Sequence, residues 1–172
     1  MKRLAMPRSW PLTRKTDVWI SRPRPSGHPI ERCMALGVVL RDVLGVAQSM
    51  REAKRALATR RILVDGRVTT DMRRGVGVMD VLSVGDDHYR CILDGNGKLR
   101  YVPISAKDAG LKLCRVDGKT TIKGGVTQLN LHDGRNMLVD DANKYNTMDT
   151  LVVEVGSQKV KKHHKFETGA NC

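Results

Sequence analysis

Between Ser49 and Val84 the chain places Arg51, Lys54 and Arg55 at spacings that share one helical face. Arg60 and Arg61 follow at the end of that helix, and Arg67, Arg73 and Arg74 come after a tight turn. A guanidinium is a planar fork that bonds two oxygens of one anion at once. Cations gathered on so short a stretch suit a partner with regularly spaced phosphates. The same residues also suit a plain solvated face, with the later arginines complementing a helix C-terminus.

Two other clusters have the same character. Lys2, Arg3, Arg8, Arg14 and Lys15 surround Trp10, and Arg22 and Arg24 lie near Trp19. A nucleobase stacks on an indole or a guanidinium plane while neighbouring cations track phosphates. Trp10 suits either stacking or anchoring of its own segment. Trp19, between Val18 and Ile20, reads as an anchor. Late in the chain Lys159, Lys161, Lys162, His163, His164 and Lys165 form a third basic group, in which Lys161 and Lys162 are the contact candidates.

Other chemistries find little support. His163 and His164 with Cys172 fit no zinc spacing, and their cationic neighbours oppose a bound cation, so no metal is expected. Asp80, Asp86 and Asp87 read as turn residues rather than general bases. There is no nucleophile elbow, phosphate-binding loop or H-E-x-x-H motif. We expect no catalysis, no cofactor and no small-molecule substrate.

The elements that must position these residues follow from local signals. Residues 1–29 contain Pro7, Pro11, Pro23, Pro25 and Pro29, which remove donors and disfavour helix. They read as an extended basic arm that orders against a partner, with one short turn near Thr16–Ile20. The apolar run in residues 30–44 predicts a well-covered helix stopped by Gly45. Ser49 stands three residues before Glu52, a capping box that starts a second helix. Asp65-Gly66 is a hairpin signal, and Val78–Val84 a strand.

After residue 85 the pattern is all-β. Tyr89–Leu93 and Leu99–Ile104 flank a turn at Asp94–Gly97. Further strands are expected at Leu111–Val116, Thr120–Ile122, Val126–Leu131, Asn136–Val139 and Leu151–Val155, with one helical turn at Ser105–Ala109. The segment from Gln158 onward reads as a basic, polar tail.

Composition agrees. The 172 residues carry a formal net charge of +13, which points to a polyanionic partner. The excess is densest in residues 1–30, with seven basic residues and one acidic. No run is long and apolar enough for a membrane helix, and the N-terminal residues lack a signal-peptide core, so a cytoplasmic chain with no membrane partner is expected. Cys33, Cys91, Cys114 and Cys172 form no C-x-x-C pair and read as buried or free thiols.

The basic helix, ILVDGRV hairpin and VMDVLSV strand resemble the small RNA-binding domain of the S4-like type. The flanks KRLAMPRSW, RPRPSGHPIERCMALGVVLRDVL and VDGRVTTDMRRGVGVMDV, with KLCRV, LNLHDGRN and KFETGANC, resemble the archaeal and eukaryotic small-subunit ribosomal protein S4e family. The match covers essentially the whole chain. It implies an α+β fold: a basic arm at 1–29, a small αα-β RNA-binding domain of the S4-like type at 30–85, and an all-β barrel-like domain with a basic tail at 86–172. It also implies a glycine-rich third domain following KFETGANC, which these residues do not include. The resemblance implies a structural constituent of the small ribosomal subunit, located in the cytoplasmic ribosome, with small-subunit rRNA and neighbouring ribosomal proteins as partners. A free RNA-binding factor that visits ribosomes or tRNA is the alternative.

Overall fold

Ser49 starts the best-defined helix as its sequence predicts. The computed structural model describes residues 1–169, and in it Ser49 Oγ accepts the Glu52 backbone N–H at 3.2 Å. The reciprocal bond is displaced by one residue, because Glu52 Oε2 accepts from Gln48 N–H at 2.7 Å instead of from Ser49. Helix α2 spans Met50–Ala58 and buries Ala53 and Leu57. Its end is closed by Arg60, whose φ of 59° is left-handed and usually taken by glycine.

The expected single helix over residues 30–44 is corrected. Ile30–Arg32 forms a 3₁₀ turn and Cys33–Ala35 a strand, β1. Leu36–Val38 then makes one α-helical turn, α1, which continues as a π-helical turn over Val39–Val43. The cause is non-local. Residues 33–35 pair antiparallel with Gly75–Gly77, so their donors and acceptors are spent on a partner strand. The apolar reading survives: Cys33 through Leu40 are buried throughout.

Strand β2 (Ile62–Val64) turns at Asp65 and Gly66, both at positive φ, into β3 (Arg67–Val68). This is the tight hairpin that Asp-Gly favours. β4 is Gly75–Gly77, β5 Val81–Val84, β6 Asp87–Leu93 and β7 Leu99–Ile104. The sheet order is β3-β2-β5-β6-β7. The boundary expected at 85 therefore falls inside one sheet, where Val84 pairs with Asp87. One compact unit runs Met1–Ala109, and a second runs Gly110–Cys172. The short helix α3, Ala106–Ala109, ends the first.

The arm belongs to that first unit. Met6, Trp10 and Ile20 join its core, and Lys2 and Trp19 form an isolated bridge. Arg24 N–H donates to Arg73 O at 2.7 Å, and Leu99 N–H to Ser9 O at 2.7 Å. His28 Nε2 donates to Asp80 Oδ1 at 2.9 Å, while Asp80 Oδ2 accepts from Gly77 N–H at 2.8 Å. A Cβ at Gly77 would lie 2.3 Å from the His28 ring, so this crossing demands glycine. The arm, which includes a 3₁₀ turn at Arg3–Ala5, is folded onto its own unit instead of waiting for a partner. Its apolar side chains find cover there without a partner.

The second unit is a five-stranded sheet in the order β10-β9-β8-β11-β12. Its strands are β8 (Leu111–Thr121), β9 (Thr127–Leu131), β10 (Asn136–Val139), β11 (Thr150–Glu154) and β12 (Val160–His164). Two strands expected at 111–122 are one, and Asp117-Gly118 marks a register shift within it instead of a turn. The expected polar tail also contains a strand, since β12 pairs with β11 along the sheet edge. Cys114, Val116, Leu129, Leu131, Leu151 and Val153 form the core.

Lys112 is 1% exposed beneath this sheet, with Nζ 3.0 Å from Asp133 Oδ2. Burial pushes the Asp133 carboxyl up, but Lys112 and Arg135 outweigh it and hold it below the ordinary carboxylate value. Burial of Asp149 is likewise outweighed, by backbone N–H groups of Asn146 and Phe166 and by His163 at 2.6 Å. Cys33, Cys91 and Cys114 are buried, and burial pushes the Cys91 thiol up to about 12. Cys172 lies outside the described residues.

Candidate nucleic-acid interface

The residues expected to touch RNA divide by environment. Arg51, Lys54 and Arg55 are exposed on α2, opposite the stripe formed by Ala53 and Leu57. Arg60 and Arg61 are exposed at its end, and Arg67 on edge strand β3. Arg73 and Arg74 are exposed in the turn before β4. Among the described residues, no ion pair engages any of these eight. No carboxylate among the described residues neutralises them by a direct ion pair.

A second group surrounds a cleft of about 310 Å³. Arg22 and Arg24 reach it from the arm and Arg73 from the turn opposite, with His28 and Ile30 beneath. The Arg24 backbone bond to Arg73 holds the two walls together. Arg24 also pairs with Asp71 at 3.2 Å, but two-thirds of its side chain stays exposed. Sequence spacing did not join these residues, since about fifty positions separate them.

Lys2, Arg8 and Lys15 are exposed on the arm. Lys161 and Lys162 are exposed on β12 in the second unit, where Lys161 lies 3.4 Å from Glu154. The exposed position of Glu154 and its bond from Ser157 leave this a solvated pair, worth little.

Three expected contacts are corrected. Trp10 is 1% exposed, and its indole N–H donates to Cys33 O at 2.9 Å. It offers no face to a base. Arg3 is buried, with Nε donating to Thr13 O at 2.6 Å and Nη1 to Asp17 at 3.2 Å. Arg14 is half-buried and donates to Leu4 O at 2.8 Å. These cations organise the arm. Trp19 reverses the other way: its backbone is held, but its side chain is 66% exposed. Flanking valine and isoleucine gave the wrong signal: Ile20 joins the core, while Val18 and Trp19 are both exposed.

His163 is committed to Asp149, and no group of three or more metal-ligating side chains occurs among the described residues. Asp80 is a buried turn acceptor, as the bonds from His28 and Gly77 require.

Comparison with known proteins gives this geometry a context. Residues 85–160 match the model for ribosomal family S4e, and residues 1–31 match the RS4NT domain. The chain is 41% identical over 172 residues to small ribosomal subunit protein eS4 of Methanocella arvoryzae, covering 99% of this chain and 72% of that one. It is 43% identical over 179 residues to eS4 of Ignicoccus hospitalis, covering 98% and 70%. The crystal structure of 30S ribosomal protein S4e from Thermoplasma acidophilum superposes with a TM-score of 0.71 at 31% identity, covering 80% of this chain and 71% of that one. The mixed fold, with many strands and few helices, is thus of the ribosomal-protein class. The chain belongs to the ribosomal S4e family.

Proposed function

We propose that this chain is a structural, non-catalytic constituent of the small ribosomal subunit that binds and organises rRNA. Its relatives are small-subunit ribosomal proteins by name. The observation that carries the reading onto particular residues is the unpaired cationic face of α2 and its continuation. Cations left unpaired on a folded platform are available to neutralise crowded phosphates without first breaking internal bonds. The proposed contacts are Arg51, Lys54, Arg55, Arg60, Arg61, Arg67, Arg73 and Arg74, joined by Arg22 and Arg24 at the cleft. Lys2, Arg8 and Lys15 extend the set along the arm, and Lys161 and Lys162 add a site on the second unit.

We read residues 30–85 as the S4-like RNA-binding part of the first unit, and the sheet of the second as the barrel-like domain of the family. Recognition is of RNA shape more than sequence, since backbone contacts carry no base information. The site of action is the ribosome in the cytoplasm, with other ribosomal proteins alongside. The test is sedimentation with small subunits after a high-salt wash. A structural constituent stays bound, whereas a visiting factor is released.

A further inference from the structure

We infer that the cleft between the arm and the turn before β4 receives one unstacked nucleotide from an RNA bulge or loop. This rests on the RNA-binding reading and says which part of an RNA enters there. Arg22, Arg24 and Arg73 line the cleft with Pro25 and Ile30, and no carboxylate lines it among the described residues. Arg22 and Arg73 are exposed and take part in no ion pair among those residues. Arg24 pairs with Asp71 at 3.2 Å, but both side chains are exposed, so the pair is weak. Asp71 also accepts the Arg73 backbone N–H at 2.9 Å. Three guanidiniums thus stand against one nearby surface carboxylate. Asp80 lies deeper and is closed off by His28, with side chains 6% and 5% exposed.

The walls are set before anything binds. Pro23 and Pro25 fix the backbone on either side of Arg24. The Arg24 N–H bond to Arg73 O at 2.7 Å ties one wall to the other. The His28 bond to Asp80 at 2.9 Å anchors the floor. Little ordering is needed on binding, which favours affinity.

Size and lining together select the occupant. A volume of about 310 Å³ sits at the small end of the ~300–1,000 Å³ usual for small-molecule sites. A paired RNA helix is too wide to enter and would offer only phosphates to the rim. A lone phosphate or a carboxylate side chain would satisfy one arginine and leave the apolar floor uncovered. A nucleotide uses both features. Its base packs against Pro25 and Ile30 and stacks on a guanidinium plane, while its phosphates take the remaining arginine forks. Every base has a π-face, so this insertion reads an unpaired position more than its identity.

The test uses the full chain and three RNA hairpins of one sequence. One is fully paired, one carries a single-nucleotide bulge, and one carries the same bulge made abasic. The abasic form keeps the phosphate and removes the base. The bulged hairpin should bind roughly tenfold or more tighter than the other two. Arg22→Gln combined with Arg73→Gln should abolish that preference. Replacing Arg51, Lys54 and Arg55 by glutamine should instead weaken all three hairpins alike. These side chains are exposed, so circular dichroism should show both variants folded. Equal binding of the bulged and abasic hairpins, or a bulge preference that survives loss of Arg22 and Arg73, overturns the inference. Sedimentation with small subunits reads the rRNA proposal separately. A chain that sediments with subunits yet shows no bulge preference overturns the cleft inference alone.

Discussion

Trp10 and Trp19 have opposite roles that their immediate neighbours in sequence do not announce. Replacing Trp10 by alanine should cost about 3–5 kcal/mol, because it removes a buried ring and orphans the Cys33 carbonyl. Trp19→Ala should change stability by no more than about 0.5 kcal/mol. Urea denaturation of the two variants checks the contrast. Leu57, fully buried under α2, should behave like Trp10, with a loss of about 2–5 kcal/mol on truncation to alanine. Exposure of the basic residues was largely legible, because cations rarely bury themselves. Arg3, Arg14 and Trp10 were not, since their partners are carbonyls and a carboxylate fixed only by the arm's folded path.

Among the elements, α2 carries the sharpest test. Replacing Arg51, Lys54 and Arg55 together by glutamine keeps good helix formers and leaves the buried stripe intact. Circular dichroism should be unchanged, while RNA affinity falls. The salt slope should fall by up to ~0.9 per lost phosphate contact, the value for a B-form duplex. An unchanged slope in a folded variant would remove α2 from the interface. Arg60→Gly separates charge from strain at the same helix end. It relieves a left-handed arginine, so thermal stability should hold or rise while affinity falls. The capped helix and the Asp65-Gly66 hairpin were legible because their determinants sit within a few residues. Strand β1 was not, because its partner β4 lies some forty positions on and overrides the helical pattern of residues 30–44. Strand β12 was hidden by its own lysines, which an edge strand tolerates because that edge faces solvent.

At the scale of the whole molecule, charge and stability are distributed unequally. Residues 1–109 hold 21 basic and 11 acidic residues, against 10 and 7 in residues 110–172. The salt-dependent attraction therefore resides mainly in the first unit. The second has an electrostatic weak point of another kind. Asp133 and Asp149 are both held below ordinary carboxylate values in the fold. Their ionised forms thus add stability above about pH 4, and that contribution is lost as pH falls through the lowered values. Denaturation midpoints should fall on acidification below about pH 4. Asp133→Asn should flatten that dependence and cost about 3 kcal/mol or more at neutral pH, since Lys112 is left buried opposite a neutral amide.

The bond from Leu99 N–H to Ser9 O imposes an order of events on biosynthesis. The arm emerges from a translating ribosome long before the strand that secures it. Trp10 waits first for Cys33, and the outer wall of the first unit closes only when β7 has followed. Throughout that interval the densest block of positive charge on the chain lacks the bond from Leu99 to Ser9 that secures it. The nascent protein is then at its most exposed to stray polyanions and to aggregation. A binding partner that shields the emerging arm would be most useful during those first hundred or so residues of synthesis, and redundant once β7 is in place.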